Sequence, residues 1–303
     1  MPRASASMLL LPLAIGCQSG GSGGGQAGEA PQFDEEFQTA GLNPDRGETV
    51  PKVRFFLTAE QNWQEAERRF ERKDYLAAQQ YFAFIRTKFP YARFAVLSDI
   101  RIADCQYARE HWLEAVDSYS NFVRLHPGHR LVPYAMFRTG LSQYEQIPGS
   151  FFLLPPAEEK DQTAVEEAAK ALGAYLRRFP QDENVEEAQK VYAEVRQKLM
   201  KHERYAADFY RKLGRDRAYL GRLTIIRDQF EDVGLNPKLL LEIAQVQARL
   251  GQVEDVQSTF DGMAQRFPEA QELKDRAKLV REAEAARAEA EAKAAAKVEA
   301  EAG

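Results

Sequence analysis

The chain has 303 residues, of which 44% are hydrophobic and 29% are charged, and its formal net charge is −5. This acidic balance argues against a nucleic-acid-binding protein, because phosphates select for basic surfaces. The two cysteines, Cys17 and Cys105, are too few for a disulfide framework.

Residues 1–16 are predicted to be an export signal. Arg3 precedes the apolar run Met8–Ile15, which is too short to span a bilayer. The run ends in Leu13-Ala14-Ile15-Gly16-Cys17, which resembles a bacterial lipobox, so Cys17 is predicted to carry a covalent lipid. The alternative is an ordinary secretory signal in which Cys17 is incidental.

The segment after the signal is predicted to be a flexible tether. Residues 17–51 begin with a stretch of Gly, Ser and Gln and continue with acids and prolines, and neither part contains a regular packing pattern. Gln18 rather than Asp follows the cysteine, which resembles lipoproteins sent to the outer membrane. We therefore expect the folded part to stand on the periplasmic face of the outer membrane, held there by the lipid on Cys17.

Two helical hairpins are predicted between Thr58 and Pro127, with their second helices at Tyr75–Lys88 and Trp112–Leu125. Both hairpins follow one pattern of two small residues and a proline. The small residues allow close helix packing and the proline ends the second helix. A period of this length indicates a helical repeat array. The pattern resembles the tetratricopeptide repeat and predicts an all-α fold, a right-handed superhelical solenoid of about five helix hairpins. The matching positions, displaced by 37, are Ala66, Ala78 and Pro90, then Ala103, Ala115 and Pro127.

The third repeat contains an insertion. Gly140 occupies its first small position, but Ala168 and Pro180 arrive sixteen residues late. The extra segment, 147–162, contains four consecutive large apolar residues bounded by prolines, which are costly to leave in water. Either they fold back on the array or a partner covers them. They are Phe151, Phe152, Leu153 and Leu154.

The fourth repeat begins with an unusually long helix. No proline or glycine occurs between Glu183 and Lys212, which predicts a helix of roughly 43 Å. A helix over 217–230 and a regular fifth repeat follow. Residues 273–303 are rich in Ala, Glu and Lys and are expected to form either an exposed helix or a disordered tail, with a capping role for Leu273 to Val280.

The sequence contains no recognisable catalytic constellation. It lacks a phosphate-binding loop, a dinucleotide fingerprint and a nucleophile elbow. His126 and His129 straddle a helix end without the other ligands of a metal motif, which favours a helix-ending turn. We expect a non-enzymatic protein that binds other proteins and needs no cofactor or metal beyond its lipid.

Large apolar residues recur on one face of the first helices. Two sets lie seven residues apart, which is two helical turns, so both share a face. In this repeat architecture the first helices line the concave side. The hypothesis is an aromatic groove over repeats one to three that binds an extended peptide; the alternative is that these side chains pack between neighbouring helices. The sets are Trp63, Ile100 and Phe137, and Phe70, Tyr107 and Tyr144.

Several local sequences together resemble the BamD family, lipoproteins of the outer-membrane β-barrel assembly machinery. The likeness covers about Val50 to Pro268 and includes the insertion and the long helix, which are more specific than the repeat pattern. The matching sequences are the lipobox, Phe89-Pro90-Tyr91, the run from Phe122 to His129, the helix from Tyr134 to Leu141, Asp161-Gln162-Thr163 and Lys201-His202-Glu203.

The resemblance implies a division of labour. Repeats one to three (52–180) would bind unfolded outer-membrane proteins, and repeats four and five (181–272) would dock on a POTRA domain of a BamA-like β-barrel protein. Arg222 matches a family arginine at that contact, where it could pair with a carboxylate. Accessory lipoproteins are further candidate partners. The alternative is another outer-membrane repeat lipoprotein, such as a secretin pilotin or a cell-envelope division factor, which would lack the two irregularities.

Overall fold

The structure, a computed structural model, describes residues 32–33, 53–149 and 156–302. The predicted signal, the predicted lipidation site Cys17, most of the tether and the segment Phe151–Leu154 lie outside these residues. The described part is helical apart from a two-residue antiparallel pairing of β1 (Gln32–Phe33) with β2 (Phe55–Phe56). The predicted all-α class is therefore confirmed.

The helices form consecutive antiparallel hairpins in chain order. Two of them, α2 and α4, have the bounds that the sequence predicts, whereas the short α9 was not expected. The helices are α1 (Ala59–Glu71), α2 (Tyr75–Lys88), α3 (Arg93–Ala108), α4 (Trp112–Leu125), α5 (Val132–Glu145), α6 (Thr163–Arg178), α7 (Val185–Lys212), α8 (Asp216–Gln229), α9 (Glu231–Gly234), α10 (Pro237–Arg249), α11 (Val253–Arg266) and α12 (Arg276–Ala302), with 3₁₀ turns at Ala157–Glu159 and Gln271–Asp275.

The turn inside four of the hairpins uses the same left-handed backbone conformation. Lys73 and Glu110 have φ of 63° and 61°, and Gly214 and Gly251 have φ of 65° and 70°. Each pair is separated by one 37-residue period. Glycine adopts this conformation without strain, whereas the two non-glycine residues are held there by the helices on either side.

The small residues of the repeat pattern lie where helices cross. Ala66, Ala103 and Ala168 are completely buried. At Gly140 on α5, a Cβ atom would lie 2.6 Å from Cδ2 of Leu172 on α6. The predicted reason for small residues, close approach of paired helices, is therefore what the structure shows.

The buried side chains form three hydrophobic clusters along the array. One lies in repeat one and the start of repeat two, and the next extends from α3 to the N-terminal half of α7. The last extends from the C-terminal half of α7 to α12. The long helix α7 therefore belongs to two clusters, through Ala188 and Val195 in one and Ala207 in the other.

The C-terminal segment forms a helix, α12, that caps the last repeat. Leu279 and Ala283 are buried in the final cluster, and Leu273 and Val280 pack against it. The backbone of Arg287 passes so close to the α10–α11 turn that a Cβ on Gly251 would lie 2.9 Å from its nitrogen. The predicted capping role of this segment is confirmed.

We predict opposite effects of alanine at two helical glycines. Gly140→Ala should lower the free energy of unfolding by about 1–3 kcal/mol, because the new methyl group overlaps Leu172. Gly262→Ala is the matched control: nothing lies within 4 Å of its added Cβ, so helix propensity alone should stabilise the protein by about 1 kcal/mol. Thermal and urea unfolding measure both, and a stabilised Gly140→Ala variant would contradict the packing described.

Candidate protein-binding site

Five of the six groove candidates are buried in the array. Trp63, Phe70, Ile100, Tyr107 and Phe137 are each at most 9% exposed. The Trp63 ring, for example, lies against two rings of neighbouring helices, with centroid distances of 5.2 and 5.1 Å to Phe82 and Phe94. The prediction that these five line an open groove is corrected by their burial: they pack between helices, because each next hairpin covers the face on which they recur.

Tyr144, the sixth candidate, is half-buried and remains accessible. Its hydroxyl donates a hydrogen bond of 2.7 Å to Oε2 of Glu194 on α7. This contact spans fifty positions of sequence and fixes the ring at the junction of α5 and α7. Tyr144 is therefore the candidate at which a ligand can meet this face directly.

A buried carboxylate organises the same region of repeats two and three. Asp104 on α3 is 2% exposed. Its Oδ1 accepts hydrogen bonds from the hydroxyls of Tyr119 and Tyr134, at 2.6 and 2.9 Å, and its Oδ2 lies 3.2 Å from Nη1 of Arg101. Three donors thus surround the negative charge. Burying a charge without such partners would be strongly destabilising.

Arg101 joins repeat one to repeat two. Its Nε donates to Oε1 of Glu67 on α1 at 2.8 Å, and its guanidinium carbon lies 4.1 Å from the centroid of Phe70. Burial disfavours the charged form, but the Glu67 hydrogen bond and the charge of Asp104 outweigh it and raise the pKa of Arg101. Since Glu67 and Asp104 occupy the same position of adjacent repeats, Arg101 fixes the register between them.

Arg138 is the equivalent of Arg101 one period later, but it has different surroundings. It is 8% exposed, and its guanidinium carbon lies 3.6 Å from the Tyr107 ring centroid. Its Nε donates to the Tyr119 hydroxyl at 3.3 Å. Desolvation opposes its charge, while Tyr119, Tyr134 and Asp104 raise its pKa. The Arg138 guanidinium therefore covers the face of the Tyr107 ring.

Sequence reasoning missed this network, although it contained a signal. Glu67 and Asp104 are one 37-residue period apart, and so are Arg101 and Arg138. Opposite charges that recur on the apolar face of a repeat helix indicate ion pairs between repeats. A solvent-exposed charge would not be restricted to the positions that face the core.

In the other half of the array, Arg222 lies on α8 with its side chain 35% exposed. Its Nη1 donates to Oε2 of Glu203 on α7 at 2.9 Å. This hydrogen bond raises the pKa of Arg222. The Glu203 carboxylate thus fixes the orientation of the guanidinium, part of which still faces solvent.

Repeats four and five are joined by a second carboxylate. Glu242 on α10 accepts from Nη2 of Arg204 on α7 at 2.9 Å and from the Tyr219 hydroxyl on α8. Burial alone would raise the pKa of Glu242, but these two donors lower it. The contact fixes α10 against the helix pair that holds Arg222.

The insertion is attached to α7 at its C-terminal end. Nδ1 of His202 lies 2.7 Å from the carbonyl oxygen of Glu158, and the Tyr205 hydroxyl donates to the Glu159 carboxylate. At the other end, Ile147 is buried in the middle cluster. Both flanks of the four apolar residues are therefore fixed to the array.

The two histidines considered as a metal pair lie at the end of α4. His126 is the residue that ends the helix, and Nδ1 of His129 accepts from the backbone N–H of Leu131 at 3.2 Å. Across the residues that the structure describes, no three His, Cys, Asp or Glu side chains are grouped as metal ligands. Within the same residues, none of the helices combines the length and apolar character needed to cross a bilayer.

Residues 57–260 match the YfiO family, which is described as "Outer membrane lipoprotein". The chain belongs to this family. The matched residues include most of the helical array, with the insertion and the long α7. The consecutive hairpins described above confirm the predicted helical repeat solenoid.

Curated relatives of this chain include proteins named "Outer membrane protein assembly factor BamD". The one from Caulobacter vibrioides is 23% identical over 200 residues, which are 66% of this chain and 63% of that protein. The one from Neisseria meningitidis serogroup A is 22% identical over 215 residues, 70% of this chain and 80% of that protein. The chain thus spans less than two thirds of the Caulobacter relative.

One solved structure with a similar helical arrangement is the "TPR2AB-domain:pHSP90-complex of yeast Sti1". It matches 74% of this chain and 98% of its own, with 10% sequence identity and a TM-score of 0.32. This likeness is too weak to support an argument about a shared site.

Removing the charge of Asp104 should destabilise repeats one to three. In Asp104→Asn, Arg101 loses one of its two counter-ions, and an amide NH2 group can replace the oxygen that accepts from its Nη1. We therefore expect the free energy of unfolding to fall by about 3 kcal/mol. The control is Asp117→Asn, an exposed position on α4, with an expected change below about 0.5 kcal/mol. Urea unfolding followed by circular dichroism compares them; equal stability of the two variants would refute the role assigned to the network.

Proposed function

We propose that the protein is a non-enzymatic scaffold subunit of the outer-membrane β-barrel assembly machinery. The observation that supports this most strongly is the family match over residues 57–260. Its relatives are named as outer-membrane protein assembly factors. A repeat array with extended surfaces and continuous inter-repeat contacts suits the binding of other chains.

In this proposal the lipid on Cys17 anchors the protein to the periplasmic face of the outer membrane. The description of the family as an outer membrane lipoprotein supports this assignment. The tether of residues 17–51 lets the array stand away from the lipid surface. Two or more acyl chains hold a protein firmly, whereas a single chain is marginal.

The two halves of the array have different tasks. Repeats one to three (52–180) bind unfolded outer-membrane proteins, and repeats four and five (181–272) dock on a POTRA domain of a BamA-like protein. The position of α7 in two clusters supports this division: one continuous helix holds the substrate half and the docking half at a fixed spacing.

We assign the substrate contacts to residues beside the buried rings and not to the rings themselves. Tyr144 is the accessible member of the original set, and it lies on the face shared by repeats one to three. The apolar residues Phe151–Leu154 belong to the same half, and a partner chain that covers them would remove them from water. The residues that flank this segment, Ile147 and Glu158, are held against the array.

We predict that a photoreactive amino acid at Tyr144 crosslinks to an unfolded outer-membrane protein. The matched control is the same residue at Leu125, which is 58% exposed on the second helix of its hairpin and away from the first-helix face. We expect about tenfold more adduct at Tyr144, the ratio that 1.4 kcal/mol of preference gives. Equal labelling at the two positions would count against substrate binding by repeats one to three.

We also predict that Arg222→Glu weakens recovery of the BamA-like partner about tenfold or more, since losing one member of a desolvated charge pair costs about 2–5 kcal/mol. Co-purification from membranes at physiological salt measures this. Arg217→Glu, exposed on the same helix, is the control for net charge. Arg222→Gln keeps a hydrogen bond to Glu203 and separates docking from local repulsion; full recovery with both Arg222 variants would exclude this contact.

A further inference from the structure

The long helix α7 has a stripe along its whole length that is apolar except for His202, and we call it the α7 seam. Its members alternate at spacings of four and three residues, the heptad pattern by which one helix packs lengthwise against another. They are Ala188, Tyr192, Val195, Leu199, His202, Ala206, Phe209 and Leu213.

The N-terminal half of the seam is covered by the array. Ala188 and Val195 are completely buried, and Tyr192 and Leu199 pack against the middle cluster. This part of α7 pairs with α6, which has 16 residues against the 28 of α7. At 1.5 Å per residue, α7 is about 18 Å longer than the helix that covers it.

The C-terminal half of the seam is open. Phe209 and Leu213 are 53% and 56% exposed, and Tyr205, which borders them, is 41% exposed. The 3₁₀ turn at Ala157–Glu159 contacts the start of this half through His202 and Tyr205. The apolar face that packs on α6 thus continues beyond its cover into solvent.

The two edges of the seam differ in charge. On one edge, Lys198, Tyr205 and Lys212 recur every seven residues, the heptad position from which charged side chains select a partner helix. Lys198 and Lys212 are exposed and form no ion pair with any residue in the described ranges. The other edge contains Arg196 and Glu203, which are already paired with Asp232 and with Arg222 of α8.

We propose that the open half of the α7 seam (Phe209 and Leu213, with Tyr205 and Lys212 at its edge) binds an amphipathic helix of a partner protein that has acidic residues along one side. The heptad spacing indicates that the bound segment is a helix, because the covered half of the seam already packs against one, α6. The unpaired lysines specify acidic residues. The partner helix would continue along α7 where α6 ends and bury the exposed rings.

This surface is separate from the proposed contact at Arg222. Glu203 and Tyr205 are two residues apart, so about 200° separates them around the helix axis. Arg222 pairs with Glu203 and therefore lies at the opposite edge of the seam from Tyr205 and Lys212. A partner helix on the seam could bind while the POTRA contact is intact.

The test uses the full-length protein in its own membrane, with a photoreactive phenylalanine analogue in place of Phe209. The same analogue at Gln197, which is exposed on another face of α7, is the matched control. Mass spectrometry locates the crosslinked residues. We expect an adduct at position 209 on a protein segment whose apolar residues follow three-four spacing and whose edge is acidic, and none on that segment from position 197.

A synthetic peptide of the crosslinked segment then tests recognition. We expect it to bind the purified full chain, with affinity reduced about tenfold or more by Phe209→Glu and by Lys212→Glu, and unchanged by Gln197→Glu. Replacing an edge acid of the peptide by lysine should restore binding to the Lys212→Glu variant. Since Phe209 is more than half exposed, thermal unfolding should be the same for all three variants.

Other outcomes would overturn the proposal. These are an adduct at position 209 on lipid, on a second copy of the chain or on residues 150–155 of the same chain, or no adduct above the level at position 197. If the peptide bound the Lys212→Glu variant as tightly as the wild-type chain, an acidic edge on the partner helix would be excluded. The Phe209 adduct should persist in Arg222→Glu, so failure of the POTRA contact and failure of the seam are distinguishable.

Discussion

The packing of one helix against two hydrophobic clusters is the constraint on which the rest of this array depends. Ala188 and Val195 of α7 are completely buried in the middle cluster, and Ala207 is completely buried in the last. In a repeat array each unit contacts only its neighbours, so the relative position of the two halves is set by this single element. Two halves joined in this way cannot rotate freely about a loop.

Charge pairs set the register between repeats on either side of α7. Arg101 bonds to Glu67 one repeat earlier and to Asp104 in its own, and Arg204 with Tyr219 bonds to Glu242. Apolar contacts alone would permit neighbouring helices to slide, whereas a buried carboxylate is costly unless its donors are in place. The ion pairs therefore select one alignment, and that alignment places the accessible Tyr144 and Arg222 on the surface.

The aromatic periodicity shows how far a repeat pattern can be interpreted. It correctly indicated that Trp63, Ile100 and Phe137 share one face of the first helices. It could not indicate whether that face is open, because exposure depends on the rings that the next hairpin brings. Phe82 and Phe94 enclose Trp63, and Arg138 stacks on Tyr107. These contacts depend on residues up to 31 positions away and on the twist between repeats.

The sequence by itself determined the all-α class, the bounds of α2 and α4, the length of α7 and the capping role of the segment after Glu272. These features follow from local signals: helix-forming runs, prolines and glycines, and a 37-residue period. Only the tertiary structure decided which side of each helix is covered. Five predicted groove residues became core, and Phe209 and Leu213 of the α7 seam stayed in solvent, because α6 is shorter than the helix it packs against. Burial depends on where a neighbouring element ends, and no local pattern specifies that.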